Sequence, residues 1–569
     1  MTVKLSPRLR AMLHRLALTG LLLMPSLAYV GERPRFDALL VGGLVVDGTG
    51  APPRRADVGW KDGRITAIGN LAGLDALLVR DVSGLVVAPG FIDVHSHADE
   101  DLVMSEFAGA PAMLRQGVTT AVFGVDGEMD SARLLELESR LGTDVAVNWM
   151  AYVGHNGVRS AVMGDAARAA TAQETAAMQQ RVRNGMKSGA VGLSTGLMYL
   201  PGRHATTDEV VALAKVAAEF GGVYDSHDRD PAFDLMNSLA EVLEVGRRSG
   251  LEAHVAHLKA VGRKNFGRTP GIIRMIDEAR RTSPVSADMY PYDGATARLV
   301  VEVLVPPSGS TAAVQAARLD EAGLSADERA EALAALAAAW QTILRDPTQR
   351  ALARQATEHP VVGVFSWPAT VGYDSFRVVS TNRPALLDRM IVDLAAEQGV
   401  EPFDVLAGLI VSEGAGTKLT MGAIQEAEVR ELLRQPWMMI ASDGREGGLA
   451  GGGGHPRYRG SFARVLGHYV REEGLLTLPD AVFKMSGRPA AYLRLRDRGH
   501  IEVGYRADIT VFDPDVVGAR STWSHPELYA VGTRHVFVNG SAALLDGELT
   551  GTRAGRFIPY QATSAGDHR

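Results

Sequence analysis

Between residues 88 and 495 short apolar runs alternate with longer amphipathic stretches, and this alternation restricts the possible folds more than any other feature. Eight runs read as strands: GFIDVHSH, TTAVFG, VAVNWMAYV, AVGLS, GVYDSH, EAHVAH, VSADMY and WMMIASD, from Gly90 to Asp443. Runs followed by helical stretches fit parallel strands covered on both faces. The expected class is α/β, and eight repeats point to a (β/α)8 TIM-type barrel over residues 88–495. A ninth run, PVVGVFS at 360–366, is assigned to an insertion between the seventh and eighth strands. Residues 307–358 form its Ala-rich part and are expected to be helical, since Ser325 and Glu328 make a capping box ahead of RAEALAALAAAW.

The two ends of the chain have a different texture. Residues 36–87 and 496–560 are short, β-rich and punctuated by Asp-Gly and Gly-Gly turns. Neither end has enough strands to bury a sheet alone, so both are expected to build one small β-sandwich beside the barrel. Residues 1–28 read as a signal peptide: Lys4, Arg8, Arg10 and Arg15 precede the apolar run Leu16–Met24, and Ser26-Leu27-Ala28 supplies small residues for cleavage. The expectation is an exported protein, periplasmic or secreted, with no membrane span in the mature chain.

Composition narrows the chemistry. A hydrophobic fraction of 46%, a charged fraction of 22% and a net charge of −7 describe a globular chain without the positive field that attracts nucleic acid. There is no cysteine, so disulfides, thiolate zinc sites and thiol nucleophiles are excluded. Any metal must be held by His, Asp, Glu or a modified Lys.

Asp93-Val94-His95-Ser96-His97 closes the first strand. Side chains two apart share a face, so His95 and His97 can converge on one ion. His227, His257 and Asp443 stand at the carboxyl ends of the fifth, sixth and eighth strands, where barrel residues distant in sequence share one pocket. Asp126 follows the second strand, where a carboxylate bridges two metals, tunes one, or simply begins an Asp-Gly turn. Four imidazoles and a carboxylate at matched strand ends favour a divalent metal that activates water.

The chain resembles the amidohydrolase superfamily and, within it, the N-acyl-D-amino-acid deacylase (D-aminoacylase) family. The resemblance runs through GGLVVDGTGAPPRRADVGWKDGRITAIG, APGFIDVHSHAD, LRQGVTTAVFGVDG, YVGHNGVR, GAVGLSTGLMYLPG, SHDRD, AHLKAVGR, ADMYPYDGAT, PWMMIASDG, HPRYRGSFARVLGHYVRE and GYRADITVFDPD. It implies a metal-dependent barrel that hydrolyses the amide of an N-acylated D-amino acid, with His95, His97, His227 and His257 as ligands and Asp443 as general base and acid. Where the family often carries a Gly-Asn-Cys-Gly loop, this chain has Gly124-Val125-Asp126-Gly127, which replaces a thiolate by a harder carboxylate. Zinc is the expected metal, as one ion or two, and the carboxylate favours tolerance of manganese or cobalt.

The substrate's α-carboxylate needs cationic partners, for which Arg229 and Lys259 stand two residues beyond ligand histidines. Tyr199, Tyr292, His455 and Arg457 are further expected substrate contacts, with His155 behind the ligands. The expected partner is a small amide, with no nucleic acid and with a homo-oligomer left open. A second reading is hydrolysis of cyclic amides, dipeptides or aryl amides, as in dihydroorotases or isoaspartyl dipeptidases. Those relatives use a carbamylated Lys, and no Lys stands at a suitable strand end here. The non-enzyme reading is an exported binding protein on a degenerate barrel.

Overall fold

The computed structural model describes residues 36–294, 297–319, 326–361, 364–447 and 455–560. The expected signal peptide and Ser325 of the expected capping box lie outside the described residues. Among them, no helix is long and apolar enough to cross a membrane.

Each of the eight expected strand segments contains a strand: β1 Phe91–Asp93, β2 Val118–Phe123, β3 Asn148–Ala151 with its continuation Val153–Gly154, β4 Gly192–Gly196, β5 Val223–His227, β6 Ala253–Val255, β7 Val285–Met289 and β8 Met438–Ile440. All pair in parallel with their sequence neighbours, in one arc of β1 to β3 and another running from the continuation of β3 to β8. Tyr152 sits between the two parts of β3, and its N–H still reaches the Phe123 carbonyl at 3.0 Å. At the other end of the arcs, Asp443 N–H donates to His95 O at 2.9 Å and His97 N–H to Gly444 O at 2.8 Å. The first and last strands therefore meet in a seam just past their carboxyl ends.

The strands are buried without alternation because side chains fill both faces. Val122, Trp149, Leu193, Tyr224, Val255, Ala287 and Ile440 belong to one apolar cluster shared with the surrounding helices. Typical of those helices is Leu235–Ser249, which turns Leu235, Leu239, Val242 and Val245 inward at helical spacing and ends at Gly250 in a left-handed conformation.

The two ends of the chain interleave. A four-stranded sheet is formed by Arg64–Gly69, Asp57–Lys61, Phe36–Val41 and Ala76–Asp81. In a seven-stranded sheet, Ile509–Phe512 from the C-terminal end pairs antiparallel with Val86–Pro89 from the N-terminal end. Leu40, Val58, Trp60, Val87, Ile509 and Phe537 form one cluster between these sheets. The last described residues run elsewhere: Gly555 and Ile558 donate to the carbonyls of Val145 and Trp149, and Phe557 stacks on Trp149 at 4.4 Å. Residues 555–560 thus strap along β3, where an aromatic ring finds a better apolar partner than at a sheet edge.

Helices Thr311–Leu319, Ala326–Arg345 and Pro347–Glu358 fill the region expected to be helical. Their apolar faces pack into a second cluster that runs from Val300 to Ala423 and also takes in Ala232 and Val261, so the packing unit is wider than 307–358. It includes an antiparallel sheet of Ala297–Leu299, Lys418–Met421 and Phe376–Ser380, which the sequence did not announce. The described residues of PVVGVFS form no strand and lead into the helix Trp367–Val371.

Candidate metal centre

Four histidines and two aspartates converge above the carboxyl ends of the strands. His95 and His97 follow β1, His227 ends β5, His257 lies just past β6, Asp126 just past β2 and Asp443 just past β8. Asp126 is the hub. Its Oδ1 lies 3.5 Å from His95 Nε2 and 3.4 Å from His257 Nε2, and its Oδ2 lies 3.7 Å from His97 Nε2 and 3.4 Å from His227 Nδ1. Asp443 Oδ1 faces His97 Nε2 at 3.3 Å and His95 Nε2 at 4.0 Å.

The backbone is bent to achieve this. Asp126, His257 and Asp443 all have positive φ, at 55°, 32° and 45°. Such conformations cost non-glycine residues energy and persist only where surrounding structure imposes them. Part of that structure is Gly196 on β4, where any Cβ would overlap the Asp126 carbonyl oxygen.

The donor set fits a divalent cation. Both ring nitrogens of His95, Oδ1 of Asp126 and Nε2 of His227 are buried with no hydrogen-bond partner among the described residues. Buried polar atoms are ordinarily satisfied, and an orphan cluster asks for an explanation. Separations of 3.3 to 3.7 Å are long for hydrogen bonds, yet suit ligand pairs that each lie about 2.0–2.2 Å from one ion. Three compact groups share His95: one with Asp126 and His257, one with His97 and Asp443, and one with the buried Asp225 and Asp288.

Electrostatics keep the carboxylates ionised. Burial pushes the Asp126 carboxyl up, but the imidazoles of His227, His257 and His95 outweigh it and hold it well below the usual carboxylate range. Asp443 behaves alike: burial raises it, and Arg457, His97 and His257 bring it far down. His257 is lowered to about 3 by burial, the Lys259 ammonium and His227.

A cavity of about 350 Å³ opens over this cluster, lined among others by His97, Asp126, Tyr199, His227, His257, Lys259, Asp443 and Arg457. Lys259 Nζ lies 2.9 Å from His257 Nδ1, Arg457 Nη1 lies 2.8 Å from Asp443 Oδ2, and Tyr199 OH lies 3.4 Å from His227 Nδ1. These expected contacts come together. A larger cleft of about 740 Å³ beside Trp523 contains none of the four histidines.

Three expected substrate contacts are placed elsewhere. Arg229 does not line the cavity: it is bound by Glu241 at 2.8 Å and by the carbonyls of Arg203 and Ala205, because the chain leaves β5 at His227 and turns away. Tyr292 points its hydroxyl at Pro456 O, 3.4 Å away, with Arg464 over its ring. His455 is buried beside Gly294 O at 3.0 Å and Trp523. His155 pairs with Glu209 at 3.0 Å.

Two residues went unnoticed in the sequence. Asp288 on β7 accepts from His257 N–H at 2.8 Å and pairs with His254 at 2.7 Å, fixing the strained ligand's backbone. Tyr290 lies beneath Arg457 at 4.5 Å and Lys259 at 5.4 Å, holding both cations over its ring. Both stand in ADMY, where acidic and aromatic residues at a strand end were the available signal.

A carboxylate shared by four imidazoles at the ends of parallel strands in an α/β fold marks a metal-dependent hydrolase. The chain belongs to the amidohydrolase family, whose profile matches residues 78–224 and 378–542. It is 34% identical to a D-aminoacylase of Alcaligenes xylosoxydans xylosoxydans, over 93% of this chain and 98% of that protein. A crystal structure of an N-acyl-D-glutamate deacylase from Bordetella bronchiseptica, complexed with zinc and a phosphonate inhibitor, is 33% identical with a TM-score of 0.71, covering 92% of this chain and all of that one. A D-aminoacylase structure described for its binuclear metal center is 32% identical with a TM-score of 0.70, covering 92% and 99%.

Proposed function

We propose that this amidohydrolase cleaves the amide bond of N-acyl-D-amino acids, releasing a carboxylate and a free D-amino acid. The single observation that carries the reading is Asp126, within 3.4 to 3.7 Å of four histidines and beside a second aspartate tethered to an arginine. The activities of the similar proteins support it. The eight parallel strands and their seam support a closed (β/α)8 barrel, and the shared core of the two sheets supports a β-sandwich. Within this reading residues 88–495 carry the chemistry, with the helical insertion at 307–358. The sandwich is contributed by 36–87 and by the part of 496–560 ahead of the strap.

His95, His97, His227 and His257 with Asp126 would hold the metal, as one divalent cation or two. Zinc is the leading candidate, and manganese or cobalt are acceptable to an all-His/Asp set. When bound, such a cation lowers the pKa of water to roughly 7 and polarises the acyl carbonyl. Asp443 accepts the proton of the attacking water and returns it to the leaving amine nitrogen, so one carboxylate serves both half-steps. Arg457 and Lys259 receive the substrate's α-carboxylate, fixing the scissile amide beside Asp443.

The test is amino-acid release from paired N-acetyl-D- and N-acetyl-L-amino acids by chelator-stripped protein, before and after adding zinc, manganese or cobalt. Release restricted to D substrates and restored by metal is expected, and its absence overturns the assignment. Export is proposed on the basic, apolar and small-residue order of residues 4–28.

A further inference from the structure

The cavity has two unlike halves. One holds the histidines, both aspartates, Lys259, Arg457 and Tyr290. The other is built from Pro231, Ala232, Val261, Phe365 and Trp367. This second half is a face of the cluster spanning Val300 to Ala423: Ala232 and Val261 belong to that cluster, and Phe365 and Trp367 pack against it. Phe365 meets Trp367 edge-on at 4.8 Å and Phe233 edge-on at 5.7 Å, which anchors the aromatic wall from two segments distant in sequence.

Resting on the hydrolytic reading above, we propose that the side chain of the preferred substrate is apolar, aromatic or branched aliphatic, and that acidic side chains are rejected. With the α-carboxylate at Arg457 and Lys259, the side chain of the amino acid is left to the apolar half. A carboxylate placed there must shed its water and find a partner. Among the described residues, the cations around the cavity are committed. Arg457 and Lys259 are taken by the α-carboxylate, and Arg445 pairs with Glu100 at 2.8 Å. Arg298 lies outside the lining residues, 3.7 Å from Glu302. Glu128 adds a further negative charge to the lining, 3.9 Å from His97. An acidic side chain therefore meets repulsion and unpaired burial, whereas an apolar one covers surface that water solvates poorly.

The experiment measures kcat/KM of the metal-loaded full chain for N-acetyl-D-phenylalanine, -leucine, -methionine, -alanine, -glutamate and -aspartate. The three large apolar substrates are expected to exceed glutamate and aspartate by a factor on the order of 100. In Trp367→Ala and Phe365→Ala, the ratio of kcat/KM for phenylalanine to that for alanine is expected to fall about tenfold. Acidic substrates turned over as well as the apolar ones overturn the proposal, and loss of that turnover in Arg298→Ala would identify the cation responsible. Equal rates across the series overturn it as well, while leaving the hydrolytic reading intact. No metal-dependent turnover of any N-acyl-D-amino acid removes both.

Discussion

Arg457 grips one oxygen of Asp443 at 2.8 Å while the other oxygen faces His97 at 3.3 Å. The carboxylate proposed as the base is thus held between a guanidinium and an imidazole, and it lines the cavity. Replacing Asp443 by Asn keeps the shape and removes the proton acceptor. Asp443→Asn is expected to retain bound metal by elemental analysis and to lose kcat by at least roughly a thousandfold. Wild-type turnover in that variant would assign the proton transfer to another group.

The same ion pair sets the acid limit of activity. A general base works only when deprotonated, and Arg457 keeps the Asp443 carboxyl well below the usual carboxylate range. In Arg457→Met the carboxyl pKa rises, so the acidic limb of the kcat/KM profile is expected to move to higher pH by about one unit or more. KM should rise too, because the substrate loses a carboxylate partner. An unmoved acidic limb would separate this guanidinium from the base.

Asp126→Ala removes the carboxylate shared by both histidine pairs. Metal per chain is expected to fall by half or more, and the increase in melting temperature on adding zinc to chelator-treated protein should shrink with it. Unchanged stoichiometry would show that the histidines suffice. Asp126→Cys restores a ligand of the kind common in the family and is expected to bind zinc in preference to manganese.

Arg229 supplies a contrast. Its guanidinium is bound to Glu241 and two carbonyls outside the cavity. Arg229→Ala is expected to alter KM less than threefold while lowering stability by about 1 kcal/mol, measured by denaturant unfolding. An increase in KM matching that of Arg457→Met would return Arg229 to the substrate.

A separate carboxyl contributes to the pH dependence of stability. Glu446 is buried and accepts the backbone N–H groups of Ala112 and Met113 at 3.0 and 2.9 Å, and burial raises its pKa from 4.5 to about 7. Between these values the folded chain binds the proton more tightly than the unfolded one. This contribution to stability is therefore full below about pH 4.5 and is lost as pH rises through about 7. Glu446→Gln should flatten the melting temperature across that window relative to wild type. Parallel profiles for the two proteins would show that Glu446 ionises normally.

The strand ends were legible because His95, His97, His227 and His257 each stand where an apolar run closes, and that shared position groups them without knowledge of contacts. Two-residue spacing carried the reading too far at Arg229, while Tyr292 was expected as a contact from its place in the YPYDG loop. Alternation holds only inside a strand, and β5 stops at His227 while β7 stops at Met289, two residues ahead of Pro291. Tyr290 consequently occupies the place expected for Tyr292. The sheet in the insertion was hidden for another reason: Ala297 pairs with Thr420, and neither strand exceeds four residues, too short to show a period.

The seam between β1 and β8 ties catalysis to the order of synthesis. Ser96 and Gly444, which bridge there, are separated by 348 residues. In chain order all four histidines and Asp126 precede Asp443, so a polypeptide ending before the last strand would hold the candidate ligands without the carboxylate proposed as the base. On the proposed mechanism, hydrolysis would become available only once the final strand docks.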